Sequence, residues 1–215
     1  RKSNVEGIGL EKAGVKLNSA GAIQVNSAMQ TNIRNIFACG DVAGPYQYTH
    51  MASYQAFFSS INAMLSGLWK IQANYKAVPW ATYTRPEVAR VGLSETEARM
   101  QKISYDTTRY ELSNLDRART EGETEGFIKI LTVPKKDKIL GVTIVGYQAS
   151  ELIGEFVFAM THNLGLRKII DAIHVYPTMF EANKLAANEW RKNHLPYKSI
   201  TWSKRFLAWL SPTGR

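Results

Sequence analysis

Cysteine is nearly absent from this chain of 215 residues, because Cys39 is the only one. A single thiol excludes any disulphide within the chain and any redox dithiol, and it argues against a secreted domain cross-linked by disulphides. No apolar run approaches the ~20 residues that a membrane-spanning helix needs, and no charged-then-apolar leader is visible. The first residue is arginine rather than methionine. We therefore expect a fragment or a processed product of a cytoplasmic protein.

Acidic residues are few relative to basic ones, at 18 against 27, which gives a net charge of +9. A basic surface can bind nucleic acid, but it can equally be a solvated face on a piece of a larger protein. The basic residues are scattered, and no strand carries the aromatic-and-basic stripe of a base-stacking platform. We expect no nucleic-acid partner. His162 and His194 lack partners at metal-ligand spacing, so we also expect no metal.

The segment 31–41 predicts a turn, a short apolar strand and a Gly-Asp pair at the end of that strand. Gly40 has no Cβ, so a ligand can approach its backbone closely. Asp41 then offers a carboxylate that accepts hydrogen bonds from sugar-like hydroxyls. A helix follows, and its N-terminus would suit a phosphate. The pattern suggests a cradle for a polyhydroxylated, phosphorylated ligand, although an ordinary Gly-Asp turn explains the pair as well.

The rest of the chain predicts an α+β fold, with an antiparallel β-sheet and its helices on one face. Apolar spacing predicts a helix over 51–68, and a connector near 74–79 marks the expected domain boundary. Ser94 and Glu97 form a capping box that opens a short helix to about Lys102. The remaining predicted elements are strands at 80–84, 88–92, 105–112, 126–133 and 139–146, and helices from Ser150 to Asn163, over 167–172, and from Thr178 to Lys192.

Several segments, in the right order, resemble the FAD-dependent pyridine nucleotide-disulphide oxidoreductases. The resemblance is to the mercuric reductase-like and dihydrolipoamide dehydrogenase-like members of that family. Ser3 departs from the proline usual in that family. The matching segments cover nearly all of the chain up to about Pro196, and they are 1–4, 31–41, 84–95, 126–129, 139–146, 149–153 and 176–181.

The resemblance implies three parts of the chain and a set of cofactor contacts. Residues 1–75 would be the end of an incomplete FAD-binding domain, 79–197 a dimerisation domain, and 198–215 a basic aromatic tail. Gly40 and Asp41 would hold the ribityl chain of FAD. The start of the helix, at His50, Met51 and Ala52, would lie beside the flavin ring and complete the set of cofactor contacts.

The segment from His174 to Glu181 falls where the family has His-Pro-Thr-x-x-Glu, a motif that acts on the dithiol of the partner subunit. Here Tyr176 replaces the acid-base histidine, and Glu181 is retained. A tyrosine has a pKa near ~10, so it cannot readily shuttle protons at neutral pH, although it can donate a hydrogen bond. His174 would share a face with Tyr176 in an extended segment and could substitute for the missing histidine. Glu181 could instead be only the end of a Thr-x-x-Glu capping box.

The resemblance implies a homodimeric flavoprotein that passes electrons from NAD(P)H through FAD to a disulphide or metal-thiolate substrate. This chain lacks the Gly-x-Gly-x-x-Gly fingerprint and the dithiol, so alone it would be an inactive dimerisation module with an incomplete flavin segment. The tail suggests the alternative of a non-catalytic interaction module. Its aromatic and basic residues could lie on a membrane surface or pack on protein, and packing is the simpler reading.

Overall fold

The computed structural model describes residues 2–65 and 69–195, and the chain divides into two compact units between Tyr75 and Lys76. The first unit consists mainly of turns. One isolated β-bridge pairs Leu17 with Ile23, and another pairs Gln30 with Phe37. A short 3-10 turn at Gly40–Val42 precedes helix α1, Thr49–Met64. The small core of this unit comprises Val5, Val15, Ile23, Ala38 and Ala43.

Two expectations for the first unit need correction. The strand predicted before Gly40 is wrong, because within the described residues this segment forms only the bridge at Phe37. The segment pairs with its neighbour only at this one bridge, opposite Gln30, which is too little pairing to make a strand. Helix α1 begins at Thr49 rather than Met51. Its predicted end at Leu68 and the tail over 198–215 lie outside the described residues.

The second unit is built on a five-stranded antiparallel sheet in the order β1-β2-β5-β4-β3. Alternate residues of neighbouring strands meet across it, so that Ile144 pairs with Ala89 on one side and with Ile128 on the other. These side chains are fully buried and form one face of the sheet. The strands are β1 Pro79–Thr82, β2 Glu87–Gly92, β3 Asp106–Glu111, β4 Gly126–Thr132 and β5 Ile139–Gly146.

Helices cover the buried face, which confirms the predicted α+β class. Phe156 of the first long helix and Trp190 of the last belong to the same apolar core as the sheet residues. The short helix α2 pairs instead through Glu95 with Lys129, which alternates with the buried residues of β4. The helices are α2 Glu95–Met100, α3 Asp116–Glu121, α4 Ala149–Thr161, α5 Leu166–Asp171 and α6 Glu181–Asn193.

A predicted helix start agrees with the structure where the capping residues are close together in the sequence. The Ser94–Glu97 capping box is present with both of its hydrogen bonds. Ser150, predicted to cap α4, instead lies inside that helix, and its hydroxyl donates to Glu87 over 2.8 Å. The residue before α4 is Gln148, in the left-handed conformation. Helix α3 was not predicted, because its single turn has no periodicity to detect.

Candidate functional site

Gly40 forms a tight turn against the start of α1. Its φ of +76° is in the left-handed region that favours glycine, and a Cβ added there would lie 3.2 Å from the Cβ of Ala52. The carbonyl oxygen of Gly40 accepts from the amides of Ala43 and Gly44. The absence of a Cβ therefore lets this turn lie directly against the first turn of the helix.

Asp41, which belongs to the predicted ligand cradle, is exposed on that turn. The hydroxyl of Ser3 donates to the carbonyl oxygen of Asp41 over 2.8 Å. Ser3 is the residue that departs from the family's proline, and its hydroxyl ties the start of the chain to the Gly-Asp turn. A carboxylate held on such a turn can accept hydrogen bonds from ligand hydroxyls.

The predicted helix-start residues occupy the first turn of α1. His50 is exposed and stacks on Tyr48 at 5.2 Å, Met51 is buried, and Ala52 faces Gly40. Tyr48, at the N-cap position, forms no side-chain cap with the helix. Backbone amides in the first turn of a helix can donate to a ligand.

Gln55 is a residue of this turn that sequence reasoning missed. Its side chain is completely buried, and its Oε1 accepts from the amide of Gly40 over 2.7 Å. Its Nε2 donates to the carbonyl of Gly44 at 3.2 Å and to the hydroxyl of Tyr75 at 3.1 Å. One side chain of α1 thus fixes both ends of the Gly40–Gly44 turn. A polar residue on the apolar side of α1 was the only signal in the sequence.

Tyr176, in the second unit, lies between α5 and α6 and is 64% exposed. Its hydroxyl donates to Oδ2 of Asp116 over 3.1 Å. This hydrogen bond and the negative charge of Asp116 raise the pKa of the Tyr176 hydroxyl. The hydroxyl is thus engaged as a hydrogen-bond donor to Asp116. No sequence motif points to Asp116, which is 60 residues away.

Glu181 begins α6 with only half of the predicted capping box. Its backbone amide donates to Oγ1 of Thr178 at 3.3 Å, and the helix starts at Glu181 rather than at Thr178. The Glu181 carboxylate makes no hydrogen bond or ion pair with the described residues. Its charge acts on two hydroxyls instead, since it helps to raise the pKa of Tyr176 and, after burial, that of Tyr110 to about 12.

His174 does not share a face with Tyr176, so that expectation is wrong. The His174 side chain is 1% exposed, its Nε2 lies 3.1 Å from Glu155, and its ring stacks on Phe180 at 4.9 Å. Its Nδ1 lies 3.2 Å from the carbonyl of Ala172. The segment belongs to no helix or strand, and the His174 side chain turns inward to α4 while that of Tyr176 is exposed. The structure thus brings Tyr176 and Glu181 into electrostatic contact and engages His174 elsewhere.

The described residues contain no group of three or more histidine, cysteine, aspartate or glutamate side chains arranged to hold a metal ion. Cys39 is half-buried beside Gly40, and its thiol is free. Within the same residues, no helix combines the length and the hydropathy that crossing a membrane requires.

Comparison with family models places both units. Residues 78–187 match the model described as the pyridine nucleotide-disulphide oxidoreductase dimerisation domain, and residues 1–56 match the one described as pyridine nucleotide-disulphide oxidoreductase. A dihydrolipoyl dehydrogenase of Chlamydia trachomatis is 40% identical over 84% of this chain and 38% of its own length. Another, from Thermus scotoductus, is 38% identical over 89% of this chain and 41% of its own. The chain spans about two-fifths of the length of these curated relatives.

Solved structures of flavoprotein disulphide reductases and related proteins also match this chain. The crystal structure of LpdA from Mycobacterium tuberculosis matches with a TM-score of 0.78 and 25% identity, over 87% of this chain and 40% of that one. The HOCl-induced flavoprotein disulphide reductase RclA of Escherichia coli matches with a TM-score of 0.73 and 27% identity, over 83% and 41%.

Proposed function

The chain belongs to the pyridine nucleotide-disulphide oxidoreductases, and we propose that it is part of a homodimeric flavoprotein that reduces a disulphide substrate with NAD(P)H. In this proposal FAD, when bound, would supply the redox chemistry that links the nicotinamide to the disulphide, and residues of the first unit would help to hold it. The redox dithiol and the dinucleotide fingerprints belong to sequence outside this chain, because Cys39 is the only cysteine here. The observation that carries the proposal is the match of both units to the two models of one family.

The first unit contributes residues that fit the flavin. The turn at Gly40 leaves no Cβ between its backbone and Ala52, and it places Asp41 at the surface near the start of α1. Asp41 would accept hydrogen bonds from the ribityl hydroxyls. Backbone groups of His50 and Met51 would lie along the ring. Gln55 is a positioning residue, since it acts on the turn rather than on the ligand.

The second unit contributes the dimer interface and the wall that faces the partner's active site. The exposed apolar side chains between α5 and α6 support this role, because Ile173 is 97% exposed, Val175 71% and Tyr176 64%. A cluster of this kind on one loop is typical of an interaction surface. We assign Tyr176 as a hydrogen-bond donor that exchanges its contact with Asp116 for one with the substrate or its thiolate, and Glu181 as a carboxylate whose charge helps to keep that hydroxyl protonated.

His174 is reassigned in this proposal as a positioning residue that anchors the loop to α4. Its contacts with Glu155 and Ala172 leave it no free ring nitrogen for a substrate. The predicted contact of the 198–215 tail with a membrane surface stays a prediction, because those residues lie outside the described part of the chain.

The test uses the intact protein from which this chain comes. We expect stoichiometric FAD, a dimer in sedimentation, and NADH- or NADPH-dependent reduction of a disulphide such as lipoamide or glutathione. The 215-residue chain alone should dimerise and should lack stoichiometric flavin. Intact protein that is free of flavin, or that fails to reduce any disulphide in a panel, would overturn the proposal.

A further inference from the structure

A cleft in the second unit brings together two arginines with no other assigned role, Arg167 of α5 and Arg191 of α6. The cleft has a volume of about 540 Å³ and lies among α5, α6 and the turn between β4 and β5. This volume is within the range of about 300–1,000 Å³ that is usual for small-molecule sites. The other lining residues are Asp137, Asn163, Leu164, Gly165, Lys168, Ile170 and Asp171.

The two arginines differ from the rest of the second unit. Every other arginine described there is paired: Arg85, Arg90, Arg99, Arg109 and Arg117 form ion pairs with glutamates, and Arg119 donates to a backbone carbonyl. The guanidinium groups of Arg167 and Arg191 make no hydrogen bond or ion pair with the described residues. Two such groups that line one concave site form a positive concavity.

The carboxylates in the cleft offset only part of this charge, because Arg167, Lys168 and Arg191 outnumber Asp137 and Asp171. Asp171 lies 3.6 Å from the ammonium of Lys168, so each of these two groups already has a partner. Asp137 points its Oδ2 at the backbone amide of Arg167, 3.4 Å away. An adjoining cavity of about 220 Å³ shares Asp137 and adds Lys138, which is exposed and unpaired among the described residues.

The chemistry of the walls indicates the kind of ligand. A guanidinium group presents a planar fork of donors that matches the oxygens of an oxyanion, and arginine is favoured wherever phosphate is recognised. A phosphate has enough peripheral oxygens to accept from both forks, whereas a carboxylate has only two. Leu164 and Ile170 add an apolar wall on which an organic group can pack.

We propose that this cleft binds the phosphate group of a small phosphorylated organic molecule between Arg167 and Arg191. The site belongs to the second unit alone and uses none of Asp41, Tyr176 and Glu181. It is therefore additional to the proposed redox reaction, and its test can fail or succeed independently of that reaction.

The experiment is calorimetric titration of the intact protein with inorganic phosphate, and separately with acetate, at constant ionic strength. Phosphate should saturate a site with a dissociation constant on the order of 1 mM. Arg167→Gln or Arg191→Gln should weaken that binding by about tenfold or more, because each variant removes a charged donor. The matched control is Arg34→Gln, which removes an exposed, unpaired arginine of the first unit and should leave the affinity unchanged. A thermal melt of each variant checks that it is folded.

The outcomes separate clearly. Phosphate binding that falls in both cleft variants but not in the control supports the site. Binding that is absent, that is equal in parent and cleft variants, or that falls equally in Arg34→Gln overturns it. Acetate binding as tightly as phosphate would overturn the choice of phosphate as the ligand.

Discussion

The backbone amide of Gly40 donates to Oε1 of Gln55 over 2.7 Å, and the Gln55 side chain is completely buried. The side-chain amide of Gln55 also donates, through its Nε2, to the carbonyl oxygen of Gly44. The turn that carries Asp41 is thus fixed by a helix residue that follows it by 14 positions in the sequence. The position of the Asp41 carboxylate depends on the turn that carries it. Gln55 therefore contributes to the proposed flavin binding by holding that turn.

Replacing Gln55 with methionine should loosen this turn in the intact protein. The side chain keeps its length, but Gly40 and Gly44 lose their partners, and a buried unsatisfied polar group costs about 1–3 kcal/mol. We expect lower thermal stability and a lower flavin content after dialysis. Gln72→Met, at an exposed position of the same unit, is the control and should change neither. Parent-like flavin retention in Gln55→Met would show that the turn does not depend on this side chain.

Asp41→Ala should weaken FAD retention in the intact protein by about one to two decades. The estimate follows from ~1.5–3 kcal/mol for a hydrogen bond to a charged acceptor. Equilibrium dialysis with fluorescence of the released flavin measures the effect. Asp41→Asn should lose less, because its amide oxygen still accepts. Equal affinity for FAD in the parent and in Asp41→Ala would remove Asp41 from the cofactor site.

Tyr176→Phe should slow disulphide reduction by the intact enzyme without dissociating the dimer. The ring still packs, and only the hydroxyl is lost. Because Asp116 raises the pKa of that hydroxyl, the parent's tyrosine stays protonated at neutral pH and acts as a donor. Tyr176→His should increase turnover of small disulphides, provided that Glu181 orients the new imidazole. Steady-state rates on a panel of disulphides provide the measurement.

Tyr83→Phe is the matched control for this series, because Tyr83 is 80% exposed in the same unit and lies outside the loop. If Tyr176→Phe equals both the control and the parent on every acceptor, Tyr176 is interface packing. Glu181 would then be most simply part of the start of α6.

A charged residue at Ile173 should dissociate the dimer without unfolding the subunit. Ile173 is 97% exposed in the described chain, so Ile173→Asp costs little in a monomer but buries a charge in an interface. Sedimentation at micromolar concentration should show monomer for this variant and dimer for the parent. Ile8→Asp, at a 61% exposed position of the first unit, should remain dimeric. A dimeric Ile173→Asp protein would exclude this loop from the interface.

The pair formed by Glu95 and Lys129 should make stability depend on acid pH. The hydrogen bond from Lys129 lowers the pKa of Glu95 from its ordinary 4.5. A lowered pKa means that the stabilisation is fully present above pH 4.5 and is lost as the pH falls through the folded-state value. Glu95→Gln should therefore lower the free energy of unfolding by up to about 1 kcal/mol near neutral pH.

This difference should shrink below pH 4.5 and disappear in stronger acid, which urea unfolding at several pH values can measure. Glu125→Gln changes an exposed glutamate with no partner among the described residues, and it should match the parent throughout. A constant difference for Glu95→Gln at all pH values would mean that the pair does not titrate with folding.

The sequence by itself determined the elements whose causes are local. The Ser94–Glu97 capping box needs only residues three apart, and strand β5 begins and ends where its alternating apolar run does, at Ile139 and Gly146. The order of strands and helices was enough to predict an antiparallel sheet with helices on one face, because each apolar face must be buried.

Only the tertiary structure decided the contacts between distant residues. The apolar run before Gly40 did not become a strand because its pairing is limited to the single bridge between Gln30 and Phe37, and Ser150 bonds to Glu87 instead of capping α4. The partners of the candidate site, Gln55 for Gly40 and Asp116 for Tyr176, are set by packing across the fold. Local patterns of sequence encode hydrogen bonds within one turn of chain, whereas these bonds exist only after separate elements have come together.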